Sequence, residues 1–260
     1  MVNRRQLLAA AGAGLVAVAT GAGPAAAATV GPIPRSVIDR YGLDTRWYGK
    51  YVDAWGLPVL GPAYLQDATL LRVQAQLGTL LWTYPSWPVT ELARRDVRVV
   101  VVARGERMSA VPEVRQRFGT TMDDRYWAGF GATDAFPLSA STESNVLDGQ
   151  GGENVFVHEF GHTLHLMALR HVDPAFQPEL TRAFDAARRA GLWTNTYAGS
   201  NVEEYFAEGI QSYFGVNYRG PAGGDGVHNN VSTRAALLAY DRPLFALLDR
   251  VYRGTSLPVG

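Results

Sequence analysis

The spacing of hydrophobic residues along the N-terminal half predicts one helix and one fully buried strand. In residues 66–82, leucines and a valine recur at helical spacing, which predicts a helix. Residues 97–103 read VRVVVVA, a short unbroken run of mostly β-branched residues. Such a run is typical of a strand that is covered on both faces of its sheet.

Two further segments of this half have weaker patterns. Residues 42–61 are rich in aromatic side chains and bounded by glycines, so they are interpreted as an irregular segment or a strand. Residues 126–147 contain Gly, Thr and Pro, followed by alternation of apolar and polar residues near 138–146. This order predicts a loop followed by an edge strand. We expect this strand to lie over the cleft that contains the functional site.

The C-terminal half has the apolar spacing of helices. One helix is predicted from Glu153, and a second from about Pro174 to Arg189. A third begins near Asn201, a residue type favoured as an N-cap, and two more cover 233–240 and 243–252. Strands in the first half and helices in the second predict the α+β class, with a small twisted mixed sheet.

Composition excludes several kinds of site. The chain has 260 residues, 47% of them hydrophobic, and a formal net charge of zero, so nothing indicates a nucleic-acid partner. It contains no cysteine, which excludes disulfides, thiolate metal sites and cysteine nucleophiles. Any metal ion would have to be held by His, Asp or Glu.

The first 28 residues have the pattern of an export signal. Arg4 and Arg5 precede an Ala- and Gly-rich apolar run that ends in small residues with an A-x-A cleavage site. The paired arginines favour the twin-arginine route, and an ordinary secretory signal is the alternative. We therefore expect a secreted protein with no membrane association after cleavage, whose residues 29–260 form a single domain.

Three of the five histidines lie in residues 154–167, NVFVHEFGHTLHLM. His158 and His162 are four apart, so a helix places both imidazoles on one face, where they can bind one ion. Glu159 lies about 100° further round, beside such an ion. A metal-bound water has a pKa near 7, and Glu159 is placed to take its proton as a general base.

A catalytic zinc site also needs a third protein ligand. The best candidates are in residues 195–214, where Glu204 and Glu208 are four apart on one helical face. One carboxylate can bind the metal while the other accepts a hydrogen bond from a ligand histidine. Glu203 is assigned to the first helical turn, where the helix dipole favours acidic residues.

HEFGH, followed some forty residues later by EYFAE, resembles the glutamate zincins. The pattern is most similar to the catalytic domain of anthrax toxin lethal factor and its secreted bacterial and fungal relatives. The resemblance implies a zincin-like fold in which Glu204 is the third zinc ligand and Glu208 supports a ligand histidine. It also implies that Tyr197, seven residues before Glu204, faces the site and donates a hydrogen bond to the oxyanion or the leaving group.

The resemblance covers most of residues 40–255. The large substrate-recognition domains of lethal factor are absent from the sequence, so its substrate does not carry over. The segment TESNVL differs from the acidic sequence of the family at this position, which leaves Glu143 and Ser144 without an assigned substrate contact.

The other three histidines are given structural roles. His165 follows His162 by three residues with no glycine between them, so packing or support of the site is favoured over direct ligation. His171 is expected to follow or cap the end of the helix. His228 lies in a loop, where a turn role is favoured over a place in the cleft.

Together these residues predict a secreted zinc metallopeptidase with one Zn²⁺ ion and a peptide or protein substrate. A related divalent ion would also suit a His/His/Glu ligand set. Two alternatives remain at this point: a zinc amidase that acts on cell-wall or other non-protein amides, and a zinc-stabilised binding module without activity. Glu159 and Tyr197 argue against the last, because a structural site needs neither.

Overall fold

The structure is a computed structural model that describes residues 29–82, 88–121, 123, 128–147 and 152–258. The predicted export signal, residues 1–28, lies outside the described residues. So does the beginning of the predicted loop at 126–127. In the described part of the chain, no helix has the length and apolar character needed to cross a membrane.

The described residues form five strands and eleven α-helices, together with two 3₁₀ turns and one π-helical turn. The strands are β1 Tyr48–Ala54, β2 Leu57–Pro62, β3 Arg98–Val102, β4 Gly129–Phe130 and β5 Leu138–Thr142. The helices of the N-terminal half are α1 Arg35–Tyr41, α2 Asp67–Leu81, α3 Val89–Arg94, α4 Pro112–Phe118 and α5 Glu143–Leu147. Those of the C-terminal half are α6 Val155–Leu164, α7 Arg170–Val172, α8 Phe176–Arg189, α9 Val202–Phe214, α10 Arg234–Tyr240 and α11 Arg242–Tyr252.

The strands form one mixed sheet in the order β1-β2-β3-β5-β4. β1 and β2 are an antiparallel hairpin, which resolves residues 42–61 as mainly strand. β3 is parallel to both of its neighbours, β2 and β5, whereas β4 is antiparallel to β5. All residues of β3 are buried, which confirms the prediction of a covered strand at 97–103.

The predicted edge strand near 138–146 is wrong. β5 covers only Leu138–Thr142 and is paired on both sides, by β3 and by β4. The chain then continues directly into helix α5 from Glu143. Among the described strands, the outer position on this side belongs to β4, two residues long, which is too short for periodicity to reveal.

The sheet separates two hydrophobic cores. Side chains alternate across a strand, so Val99 and Val101 of β3 face one core while Val100 and Val102 face the other. The larger core is shared with α2 and with the C-terminal helices, including Phe160 of α6. The α+β class is therefore confirmed, with the sheet in the N-terminal half and a helical C-terminal half packed against it.

The helical predictions agree closely with the structure. Helix α2 occupies the predicted segment 66–82, and α8 ends at Arg189, just before Gly191. Asn201 caps α9 as expected, because its side chain accepts a hydrogen bond from the Glu204 backbone N–H. The helix predicted from Glu153 begins at Val155. Its α-helical part ends at Leu164, and the chain continues as a π-helical turn over His165–Leu169.

Candidate metal centre

Helix α6 presents His158 and His162 one turn apart. The helix begins with Asn154, whose side chain accepts a hydrogen bond from the Val157 backbone N–H at 3.1 Å. His158 is buried, with a relative exposure of 8%, and the two imidazole centroids are 4.8 Å apart. The i, i+4 spacing therefore has the consequence expected from helix geometry.

Helix α9 packs against α6 and supplies the carboxylate. The two helices are in contact at Gly161, between the two histidines, where a Cβ atom would meet Ile210 Cδ1 at 3.1 Å and Ala207 Cα at 3.4 Å. The helix that carries Glu204 therefore lies directly against the helix that carries the histidines at the glycine of HEFGH.

Three potential ligand atoms converge where these helices meet. His158 Nε2 is 3.0 Å from His162 Nε2 and 3.0 Å from Glu204 Oε2, and His162 Nε2 is 3.4 Å from the same oxygen. Ligand atoms held tetrahedrally at the usual zinc distances would be about 3.3 Å apart. Glu204 Oε2 is buried and receives no well-directed hydrogen bond from a described residue. The donor set therefore fits a zinc ion, and we call these three residues the cleft cluster.

The electrostatics of the cleft cluster favour a cation. Burial lowers the pKa of His158, but Glu204, and then Glu159 and Glu208, outweigh it and raise that pKa to about 10. Burial raises the pKa of Glu204, but the two histidines outweigh it and hold that pKa well below its usual range. This concentration of negative potential would stabilise a divalent ion in place of a proton.

Glu159 lies between the cleft cluster and strand β4. Burial raises the pKa of its carboxyl, against the opposing effect of the two imidazoles. A Cβ atom on Gly129 would lie 2.7 Å from Glu159 Cγ, and one on Gly131 would lie 2.5 Å from His162 Cβ. The segment Gly-Phe-Gly at 129–131 therefore gives β4 the clearance to pass directly over the HExxH face of α6, a signal that sequence reasoning missed.

Tyr197 belongs to a short 3₁₀ turn, Tyr197–Gly199, just before α9. Its backbone N–H donates to the Val227 carbonyl at 2.9 Å, which fixes the turn to the loop that precedes α10. The side chain is 47% exposed and lines the same cleft as the cleft cluster. Tyr197 and Glu204, seven residues apart in the sequence, therefore line the same cleft.

The cleft has a volume of about 540 Å³. Its floor is the cleft cluster with Glu159, one wall is β4 and the adjoining residues to Thr133, and the other is Tyr197 with the start of α9. Glu203 lines this second wall, so its position in the first helical turn also places it at the cleft. A carboxylate and a phenol beside residues that could hold a metal ion can serve as a base and as a hydrogen-bond donor in hydrolysis.

Behind His158 lies a second group of polar residues. Glu153, Glu208 and His228 bring ligand-type atoms within 4.8 Å of one another, and we call them the rear cluster. Glu208 Oε1 is 3.5 Å from His158 Nδ1, so it lies near the histidine that the resemblance leads us to expect it to support. Gln211 Oε1 is nearer, at 3.0 Å, and sequence reasoning missed it.

The remaining histidines lie away from the cleft cluster. His165 is fully buried, where its Nε2 pairs with Gln177 Oε1 at 2.6 Å and its ring contacts Phe176 and Phe206. His171 is exposed and pairs with the Leu166 carbonyl within the same helical segment. His228 lies in its predicted loop, and its side chain is part of the rear cluster through Glu153. The residues around His228 in the sequence give no indication of this contact.

Glu143 is placed in the interior by the structure. Its carboxylate accepts hydrogen bonds from Thr69 Oγ1 at 2.6 Å and from the Arg104 backbone N–H at 3.0 Å. These bonds join α5 to α2 and to the end of β3. Glu143 thus has a structural role in the described part of the chain.

Comparisons with known proteins add little to this description. No protein-family model matches the chain, and no curated protein matches it. Among solved structures, a Pro-Pro endopeptidase from Paenibacillus alvei is similar, with a TM-score of 0.46 and 15% identity, over 71% of this chain and 91% of that chain. A superposition this loose carries no argument about function, so the proposal below depends on the site residues.

Proposed function

We propose that the protein is a secreted zinc metallopeptidase of the glutamate-zincin type, similar to the catalytic domain of anthrax toxin lethal factor. The observation that carries the proposal is the convergence of His158 Nε2, His162 Nε2 and Glu204 Oε2 on the floor of a cleft that Glu159 and Tyr197 also line. His158, His162 and Glu204 would hold one zinc ion. When bound, the ion would polarise a carbonyl group and acidify a water molecule.

The chain's own residues divide the proton transfers between them. Glu159 holds the attacking water, accepts its proton and then donates that proton to the leaving amine. Glu159 is placed for this role because it lines the cleft beside both imidazoles. Tyr197 donates a hydrogen bond to the developing oxyanion.

Strand β4 is the part of the sheet available to a peptide substrate. It forms the wall of the cleft next to Glu159, and its partner β5 occupies only one of its edges in the described sheet. An extended peptide pairs with β4 through backbone hydrogen bonds and thereby brings a scissile bond over the floor. In this proposal β4 has the edge position over the cleft that the sequence suggested for residues 138–146.

Metal analysis combined with a peptide-library cleavage assay tests the proposal. We expect one zinc ion per chain, and peptide cleavage that falls by about 10²–10⁴-fold in Glu159→Gln, because the general base is lost while the ligands remain. Glu179→Gln is the matched control, since it removes a carboxylate on α8 outside the cleft. Unchanged cleavage in Glu159→Gln would contradict the mechanism. Cleavage of peptidoglycan fragments in place of peptides would favour the amidase.

A further inference from the structure

The Nδ1 edge of His158 has two candidate hydrogen-bond acceptors. Nε2 points towards His162 and Glu204, so with an ion bound at Nε2 the ring proton would be on Nδ1, which would donate away from the cleft. Gln211 Oε1 accepts at 3.0 Å, within normal hydrogen-bond length, whereas Glu208 Oε1 lies at 3.5 Å. The shorter contact therefore belongs to the neutral amide.

The orientation of the Gln211 amide is determined by its other contacts. Its Nε2 donates to Glu153 Oε1 at 3.2 Å and to the Asn154 carbonyl at 3.1 Å. Both partners are acceptors, so rotating the amide by 180° would oppose oxygen to oxygen at two places. Gln211 is fully buried, and only the observed orientation satisfies it.

Glu208 has a different partner. Its Oε2 accepts from Asn217 Nδ2 at 2.9 Å, and Asn217 Nδ2 also contacts Ser212 Oγ at 3.1 Å. These bonds join the middle of α9 to the segment that follows it. Glu208, about one turn before Gln211, is thus held by a residue that follows α9.

Glu153 connects Gln211 to the loop before α10. Its Oε1 is 3.4 Å from His228 Nε2, and burial of the Glu153 carboxyl is outweighed by His228, which lowers its pKa. The same loop accepts the Tyr197 backbone N–H through Val227. One loop therefore contacts both Tyr197 and the residue that holds Gln211.

We propose that Gln211, held by Glu153 and the Asn154 carbonyl, is the positioning residue for the ligand His158. The resemblance gave this role to Glu208. The inference depends on the proposed function for the identity of the metal ligands. A neutral acceptor orients the imidazole without adding a negative charge to the ring, so the metal site keeps a higher net positive charge than a carboxylate acceptor would give it.

Two isosteric variants of the full-length protein separate the candidates. Gln211→Met keeps the length of the side chain and removes the acceptor, and Glu208→Gln keeps its shape and removes only the charge. Zinc affinity is measured by competition with a chromophoric chelator, which needs no activity. We expect the zinc dissociation constant to rise about 10–100-fold in Gln211→Met and less than about threefold in Glu208→Gln.

A spectroscopic readout distinguishes positioning from a general loss of packing. In the cobalt(II)-substituted protein, the His158 Nδ1–H proton gives a paramagnetically shifted NMR signal that exchanges slowly with water while the hydrogen bond is intact. We expect faster exchange of this proton in Gln211→Met and no change in Glu208→Gln. Cobalt(II) suits this purpose because His/Glu sites accept related divalent ions.

The outcomes are separable. A tenfold or greater loss of affinity in Glu208→Gln, with near wild-type affinity in Gln211→Met, would overturn this inference and leave the metallopeptidase standing. If Gln211→Met fails to fold, Glu208→Gln decides alone, since near wild-type affinity supports Gln211 and a tenfold loss rejects it. A wild-type protein that binds no zinc would overturn both proposals.

Discussion

The cleft cluster and the rear cluster contain the same residue types on the two nitrogen edges of His158, yet they differ in their hydrogen bonds. In the rear cluster, Glu153 accepts from Gln211 and pairs with His228, and Glu208 accepts from Asn217. In the cleft cluster, Glu204 Oε2 receives no amide hydrogen bond, although His228 Nε2 of the rear cluster is likewise without a well-directed partner. The rear carboxylates are thus partly satisfied by amide donors, whereas Glu204 Oε2 faces only the two imidazoles and is available to an ion.

The largest expected effect separates the clusters by metal content. His162→Ala removes one of the three proposed ligands, so we expect zinc per chain to fall to near zero and peptide cleavage to be lost. His228→Gln leaves all three ligands in place and should keep one zinc when the metal is in excess. Inductively coupled plasma mass spectrometry of both proteins makes the measurement. Loss of metal in His228→Gln but not in His162→Ala would reverse the two assignments.

Removal of the Tyr197 hydroxyl should affect turnover but not metal content. Tyr197→Phe keeps the ring and the backbone bond to Val227, so we expect kcat to fall about 10²–10³-fold, the usual cost of one oxyanion donor. KM and zinc content should be little changed. Steady-state kinetics with a cleaved peptide test this, and Tyr218→Phe, another exposed tyrosine outside the cleft lining, is the control.

A glycine substitution tests how tightly β4 lies against the cleft cluster. Gly131→Ala places a Cβ atom 2.5 Å from His162 Cβ and 2.8 Å from the Glu159 carbonyl, so the strand or α6 must shift. We expect unfolding free energy to fall by about 1–3 kcal/mol and zinc affinity to fall with it. Gly223→Ala is the matched control because nothing lies within 4 Å of its Cβ position. Equal denaturation midpoints would contradict the close approach.

The smallest effect concerns the charge pair of the rear cluster. Burial lowers the pKa of His228, but Glu153 outweighs it, so the pKa is raised above 6.5 and its stabilising effect is lost as pH rises through the folded value. The Glu153 pKa is lowered below 4.5, so its contribution is lost as pH falls through that lower value. We therefore expect His228→Gln to cost about 1–2 kcal/mol, most clearly between these two pKa values.

Urea denaturation of the metal-free protein across pH measures this dependence. The difference between wild type and His228→Gln should decline above neutral pH. His171→Gln is the control, because His171 is exposed and its ring pairs with a carbonyl and not with a carboxylate. A difference that stays constant with pH would show that the rear cluster is not an ion pair.

Features carried by local spacing were predictable from the sequence. The helices α2, α6, α8 and α9 follow from apolar periodicity, and Asn154 and Asn201 cap two of them through their own side chains. β3 follows from its β-branched run. Features carried by contacts between distant segments were not predictable, which is why the edge position of β4 and the acceptor Gln211 were missed.

The sequence by itself determined that His158, Glu159 and His162 share one region of a helix, because 3.6 residues per turn leave no other arrangement. Only the tertiary structure decided which side chains face the two edges of the His158 ring. Glu204 and Gln211 lie on the same helix, and the packing of α9 on α6 at Gly161 directs one to Nε2 and the other to Nδ1. Helix periodicity sets positions within an element, but side-chain packing sets the distances between elements.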